Sequence, residues 1–238
     1  MKTSLVAVDF HGQGCSECAV RGFSVCASLD QFEMREFEQL SRRSHFASCE
    51  TVFSQDDITS CFYNLLDGVT RLYKLLPDGR RQIVGFVLPG DFVGMTTEER
   101  HGFSADAIGP VTVCQFAKLP FGRFAHDKPN LLRRMNELAV QELNQARDHM
   151  VLLGRRSAEE KVATFLVSWR DRLVDLRGPS NIVPLPMSRQ DIADYLGLTI
   201  ETVSRTFTQL EQNGAISLPT SRRVELRRRA TCNRILVG

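Results

Sequence analysis

The chain has 238 residues, 42% of them hydrophobic and 24% charged, with a formal net charge of +2. It is long enough for two domains with separate cores, and no stretch approaches the roughly 18 apolar residues that span a bilayer. The N-terminus lacks the apolar run of a signal peptide, so a soluble cytoplasmic protein is expected. The charge is unevenly placed. Residues 155–238 carry 14 Lys and Arg against 9 Asp and Glu, whereas residues 1–154 carry 16 against 19. A basic C-terminal part joined to a mildly acidic remainder suits a sensor attached to a nucleic-acid-binding module.

Residues 1–28 hold a cysteine group, Cys15, Cys18 and Cys26, and little apolar periodicity. Seven cysteines in a reducing compartment do not suggest structural disulfides, so their clustering points to metal or redox chemistry. Leu29 to Leu40 reads as a short amphipathic helix. From about Ser44 to Phe116 the chain is rich in β-branched and aromatic residues, broken by Asp67-Gly68, Asp78-Gly79 and Pro89-Gly90-Asp91. Short strands with such turn signals imply a compact antiparallel barrel or roll, with a hairpin turning at Pro77-Asp78-Gly79. Cys49 and Cys61 fall among these strands and read as packed thiols. His11 lies near the cysteine group and is read as incidental to it.

Pro129 opens a long helix, about Asn130 to Gly154. Along it Leu132, Asn136, Ala139, Leu143, Ala146, Met150 and Leu153 follow alternating four- and three-residue steps. That spacing fits either a coiled-coil seam or a helix packed on its own roll. A further helix is expected over Ala158 to Leu176, and Gly178-Pro179-Ser180 then interrupts the pattern.

The stretch Ser188 to Arg205 reads as a helix-turn-helix. Ser188 is the N-cap, Ile192 and Leu196 line the buried face of the first helix, and Ala193 suits a close helix–helix approach. Gly197 permits the sharp turn, and Val203, Phe207 and Leu210 form the stripe of the second helix. Glu201, Ser204 and Arg205 remain on its polar face. A glutamate accepts from cytosine N4 and an arginine grips guanine O6/N7, so this face can read bases. Ala215 to Leu218, a Pro219-Thr220-Ser221 turn and Arg222 to Leu226 then read as a hairpin, the wing of a winged helix. Arg222, Arg223 and Ser188 are the candidates for phosphate contacts.

This order of parts resembles the FNR/cyclic-AMP-receptor superfamily of bacterial regulators over nearly the whole chain. Gly68-Val69-Thr70-Arg71, Gln82 to Phe86 and Pro89 to Gly94 are similar to its roll segments. Met150 to Leu153 and Ala158 to Lys161 resemble its dimer helix and exit. Tyr195 to Arg205 is very similar to the FNR recognition unit, whose Glu-x-x-Ser-Arg pattern appears here as Glu201, Ser204 and Arg205. The likeness is strongest to the alphaproteobacterial FnrN, FnrL, FixK and AadR group.

The resemblance implies an α+β chain. Residues 1–28 would be a cluster-binding segment, 29–128 an antiparallel β-roll sensor like a cyclic-nucleotide-binding domain, 129–154 a dimerisation helix and 155–238 a winged helix-turn-helix. It implies a homodimer reading TTGAT-N4-ATCAA-type palindromes in double-stranded DNA and working with RNA polymerase. The seam would be Leu132, Ala139, Leu143, Ala146, Met150 and Leu153, with Ala146 where well-known FNR members carry an acidic residue. By themselves the cysteines fit zinc or a 4Fe–4S cluster equally. The family ligates an oxygen-sensing 4Fe–4S cluster with three N-terminal cysteines and one in the roll, which correspond to Cys15, Cys18, Cys26 and Cys114. Seven residues separate Cys18 from Cys26, against five in the best-known FNR members, and seven is the FnrN/FnrL pattern. A cluster-free relative controlled by abundance or thiol oxidation is the rival, and an iron–sulfur electron-transfer protein, which would leave the winged helix without a use, is a distant alternative. A cyclic nucleotide is not expected: Arg100 lacks the adjacent hydroxyl that branch uses, and Glu98 and Glu99 would repel a phosphate. Neither a membrane partner nor an enzyme is expected, since no nucleophile–base pair, phosphate loop or paired carboxylates stand out.

Overall fold

The computed structural model describes residues 14–227. His11 and Cys232 lie outside the described residues. The chain divides into two compact units between Leu143 and Asn144, within the long helix.

In the first unit, Asp30 opens helix α1 (Gln31–Leu40) through a capping box with Glu33. Eight strands follow: β1 (Ser41–Phe46), β2 (Thr51–Phe53), β3 (Cys61–Asp67), β4 (Thr70–Leu75), β5 (Arg81–Val87), β6 (Phe92–Val93), β7 (Ser104–Ala107) and β8 (Val111–Ala117). They form two antiparallel four-stranded sheets, ordered β1-β8-β3-β6 and β2-β7-β4-β5. One core lies between the sheets, with Leu65, Ala105 and Val113 fully buried in it. A second core covers the other face of the β1-β8-β3-β6 sheet, where Phe37 of α1 meets Phe116 of β8 at 4.6 Å. Being covered on both faces, β3 is buried at every interior position rather than at alternate ones.

The tight β3–β4 turn requires Gly68. Its φ is +90°, and an added Cβ would lie 2.4 Å from the Pro110 carbonyl oxygen. Cys49 departs from the packed reading. It is exposed, in the turn between β1 and β2, because the alternation of the strands stops at Phe46. After β8 come helix α2 (Lys118–His126) and helix α3 (Pro129–Arg155), which starts with proline at its first position. Leu131 of α3 is fully buried, and Met135 and Leu138 pack against the second core.

In the second unit, Ser157 and Glu160 form the capping box of α4 (Ala158–Arg177), and Trp169 donates from Nε1 to the Pro184 carbonyl of β9 (Ile182–Pro184). Helices α5 (Arg189–Leu196) and α6 (Ile200–Gln212) are joined by Gly197 in the left-handed conformation, φ +62°. Ala193, Ile192 and Leu196 are fully buried between them and their neighbours, as are Val203 and Leu210. The α5 C-terminus is closed by the Lys161 ammonium, which donates to the Leu196 carbonyl.

Strands β10 (Ile216–Thr220) and β11 (Arg223–Leu226) form the hairpin, with β9 beside β11. The turn differs from the sequence reading. Pro219 and Thr220 stay in β10, and only Ser221 and Arg222 make the turn. The register shifts between Ser217 and Thr220, and β10 is an edge strand. An edge with a bulge is where a proline, which has no N–H to give, is tolerated. Among the described residues no helix is long and apolar enough to cross a membrane.

Candidate nucleic-acid interface and thiol centre

Thr199 caps α6 by accepting from the Thr202 N–H, which sets the direction in which the helix leaves the turn. With Val203, Phe207 and Leu210 turned inward, Glu201, Ser204 and Arg205 are left exposed together. The Glu201 carboxyl is held below its ordinary value by its own backbone N–H and by the Thr199 hydroxyl, so it is an acceptor at neutral pH. Arg205 donates from Nε to the Glu201 carbonyl at 3.4 Å, leaving its terminal nitrogens free of that contact. The three residues thus form a donor–acceptor edge at the start of an exposed helix, a shape that enters a DNA major groove.

The residues read as phosphate contacts are placed differently from one another. Ser188 is half-buried, and its hydroxyl both accepts from the Asp191 N–H and donates to the Asp191 carboxylate. Arg222 stands at the hairpin turn and donates to the Pro186 carbonyl, which ties the wing to the segment before α5. Arg223 is exposed. Arg189, which the sequence reading passed over, belongs with them. Its guanidinium lies 3.5 Å from the centre of the Phe207 ring. Burial, and then the nearby Arg222 charge, pull its pKa down to about 10, so it remains cationic. Both guanidiniums belong to the positive charge around the start of α5. The only signal in the sequence was its position next to the cap.

On α3, Leu132, Ala139, Leu143, Ala146 and Met150 are all exposed, and Val140 and Val151 with them. Leu143 and Met150 are 49% and 63% exposed, enough to say that neither is used by the fold of its own unit. Leu153 differs: it is half-buried, beside Gly197 in the helix-turn-helix.

The thiols gather in the second core of the first unit. Cys15 begins a 3-10 turn (Cys15–Glu17) and Cys26 lies in another (Val25–Ser28), capped by the Ser24 hydroxyl. Cys26 and Cys114 are buried within this core, with Cys15 and Cys18 packed against it. Burial pushes the Cys26 thiol up to about 11 and the Cys114 thiol up to about 12, the latter raised further by Cys15, Cys18 and Cys26. Cys15 is raised by burial, then by Glu38 and Cys18, while Arg43 opposes the rise. The four cysteines thus share one core. Among the described residues no three His, Cys, Asp or Glu side chains are set to hold a single metal ion. Four thiols are a donor set that either a tetrahedral zinc or a 4Fe–4S cluster takes.

Residues 185–216 match the model described as bacterial regulatory proteins, crp family, and residues 43–128 match the cyclic nucleotide-binding domain. The chain is 71% identical to the nitrogen fixation regulation protein FixK of Bradyrhizobium diazoefficiens, over 92% of both chains. It is 57% identical to the transcriptional activatory protein AadR of Rhodopseudomonas palustris, over 84% of both. The solved structure of FixK2 from Bradyrhizobium japonicum superposes with a TM-score of 0.76 at 36% identity, covering 82% of this chain and 96% of that one.

Proposed function

We propose a function from one premise: the chain belongs to the FNR/CRP superfamily of transcription regulators, in its FixK/FNR branch. It is a DNA-binding regulator of transcription and not an enzyme. Within that class we propose a cytoplasmic activator that works with RNA polymerase. As a homodimer it reads TTGAT-N4-ATCAA-type palindromes, and an oxygen-labile 4Fe–4S cluster on Cys15, Cys18, Cys26 and Cys114 controls it. The observation that carries the DNA reading is the exposed Glu201, Ser204 and Arg205 edge on a helix whose other face is fully buried. The observation that supports the sensing reading is one core that gathers four cysteines, three from the N-terminal segment and one from β8.

Bound there, a cluster supplies a link between segment and sheet that oxygen can break. The protein does the rest. Cys15, Cys18 and Cys26 would hold it from the segment, and Cys114 would hold it from a strand that is paired on both sides. Leu143, Ala146 and Met150 offer the exposed stripe of α3 to a second copy. A two-fold dimer of this kind places two recognition helices about one DNA turn apart. In the roll, Arg100 donates to the Asp56 carbonyl, and the charges of Glu98 and Glu99 next to it in sequence would oppose a cyclic phosphate.

The rival is a cluster-free regulator switched by thiol oxidation. Redox-switching cysteines are exposed, whereas Cys26 and Cys114 are buried, which shields both from an oxidant in solution. Anaerobic purification decides between the two. The expected result is iron and sulfide in the protein, a visible absorbance that bleaches in air, and binding to the palindromic duplex that weakens on bleaching. Zinc, or no metal, with full duplex binding would remove the oxygen-sensing reading and leave the regulator.

A further inference from the structure

A polar group sits in the thiol core with nothing to bond to. Asn64 on β3 is 2% exposed, and its Oδ1 is buried without a hydrogen-bond partner. An unsatisfied amide in a packed core is destabilising and calls for a specific reason. Its position suggests one. Across the sheet the register pairs Asn64 with Cys114, and pairs Cys114 in turn with Arg43 of β1. Directly opposed residues on adjacent strands share a face, with Cβ atoms roughly 5 Å apart. Phe62 and Leu66, two residues either side of Asn64, pack in the same core as Cys114, so that face is the thiol face.

We infer that Asn64 is the positioning partner of Cys114, its carboxamide donating N–H···S to the Cys114 sulfur when that cysteine is a ligand. An amide carries both a donor and an acceptor, and turning it over about its last bond exchanges them. It can therefore turn Nδ2 toward a ligating sulfur. An aspartate offers no such donor when ionised, and an alanine offers neither group. The inference rests on the cluster reading above. Hydrogen bonds to ligand sulfurs favour the more negative, reduced state of an iron–sulfur site and so raise its reduction potential.

The test compares Asn64→Val with Asn64→Thr in the full-length protein after anaerobic reconstitution with iron and sulfide. The two replacements have the same shape and differ by one hydroxyl donor. Asn64→Val is expected to keep its iron content while its potential falls by about 59 mV, a tenfold change in the one-electron equilibrium. Asn64→Thr should recover part of that fall. Should neither variant fold, wild-type protein labelled with [15N]asparagine decides, since the reduced site should show a hyperfine coupling to nitrogen. An unchanged potential in Asn64→Val, or no such coupling, overturns the inference and leaves the cluster reading standing. A wild-type protein that takes up no iron and sulfide overturns both.

Discussion

The imidazole of His149, near the end of α3, stacks on the ring of Tyr195 in α5, with ring centres 4.1 Å apart and planes 16° from parallel. The contact lies within the second unit and joins the last turns of the long helix to the first helix of the DNA-reading pair. Burial holds the His149 pKa below its ordinary value, and the Lys161 charge on α4 acts in the same direction. Tyr195 is raised by burial, so both rings are neutral at pH 7.

That depression makes stability depend on pH. The unfolded chain protonates His149 near its ordinary pKa of about 6.5, while the folded chain resists until a lower pH. The stability is fully present above about pH 6.5 and is lost as the pH falls through the folded value. The melting temperature of the winged-helix unit should therefore drop between pH 7.5 and pH 5. His149→Phe keeps a stacked ring and removes the titration, so its melting temperature should fall less over the same range. Parallel curves for the two proteins would show that His149 does not carry the effect. His101 in the first unit, also lowered by burial, should be followed there by its own probe.

Base reading and phosphate contact separate in binding-site selections. Arg205→Ala should cost about 1–3 kcal/mol on the palindrome and relax preference at one base pair. Arg223→Ala should weaken binding to all sequences alike and flatten the salt dependence. Arg222→Ala should do the same and also loosen the wing, because its guanidinium holds the Pro186 carbonyl. A selection with Arg205→Ala that returns an unchanged guanine preference would place the α6 register elsewhere.

Serine at Cys15, Cys18, Cys26 or Cys114, one at a time, should abolish the roughly four irons per protomer of a 4Fe–4S site. Serine at Cys49, Cys61 or Cys232 should leave iron content intact. Cys49 is exposed and Cys61 half-buried, and neither belongs to the thiol core. Iron that survives in Cys114→Ser would move the fourth ligand away from β8.

The exposed stripe of α3 makes a dimer test. By the family resemblance, Ala146 would stand where well-known FNR members carry an acidic residue, with Leu143 and Met150 as apolar neighbours. Two like charges facing each other in a partly dry seam oppose pairing, and an alanine removes that opposition. Cluster-free protein should therefore sediment as a dimer at micromolar concentration, and Ala146→Asp should make it a monomer. A monomeric wild type would show that the alanine does not loosen the switch and would shift attention to Asp148.

The helix-turn-helix was legible in the sequence because it is local. A cap, a left-handed glycine and a four-residue apolar repeat are all set within eighteen residues, from Ser188 to Arg205, and each stands where local chemistry requires. The β4–β5 hairpin at Asp78-Gly79 was legible for the same reason. The wing was legible in outline only. Pro219 marks a turn in isolation, but the bulge and the free edge of β10 let the strand run past it. Cys49 was misread because exposure at a turn is decided by where a neighbouring strand stops pairing. Pairings between distant parts of the chain lay beyond the sequence altogether. That Asn64 and Arg43 flank Cys114, that Arg189 lies over Phe207 beside Arg222, and that His149 meets Tyr195 depend on sheet register and helix packing. Spacing along a chain sets which residues share a face; only the closing of one element on another sets which faces meet.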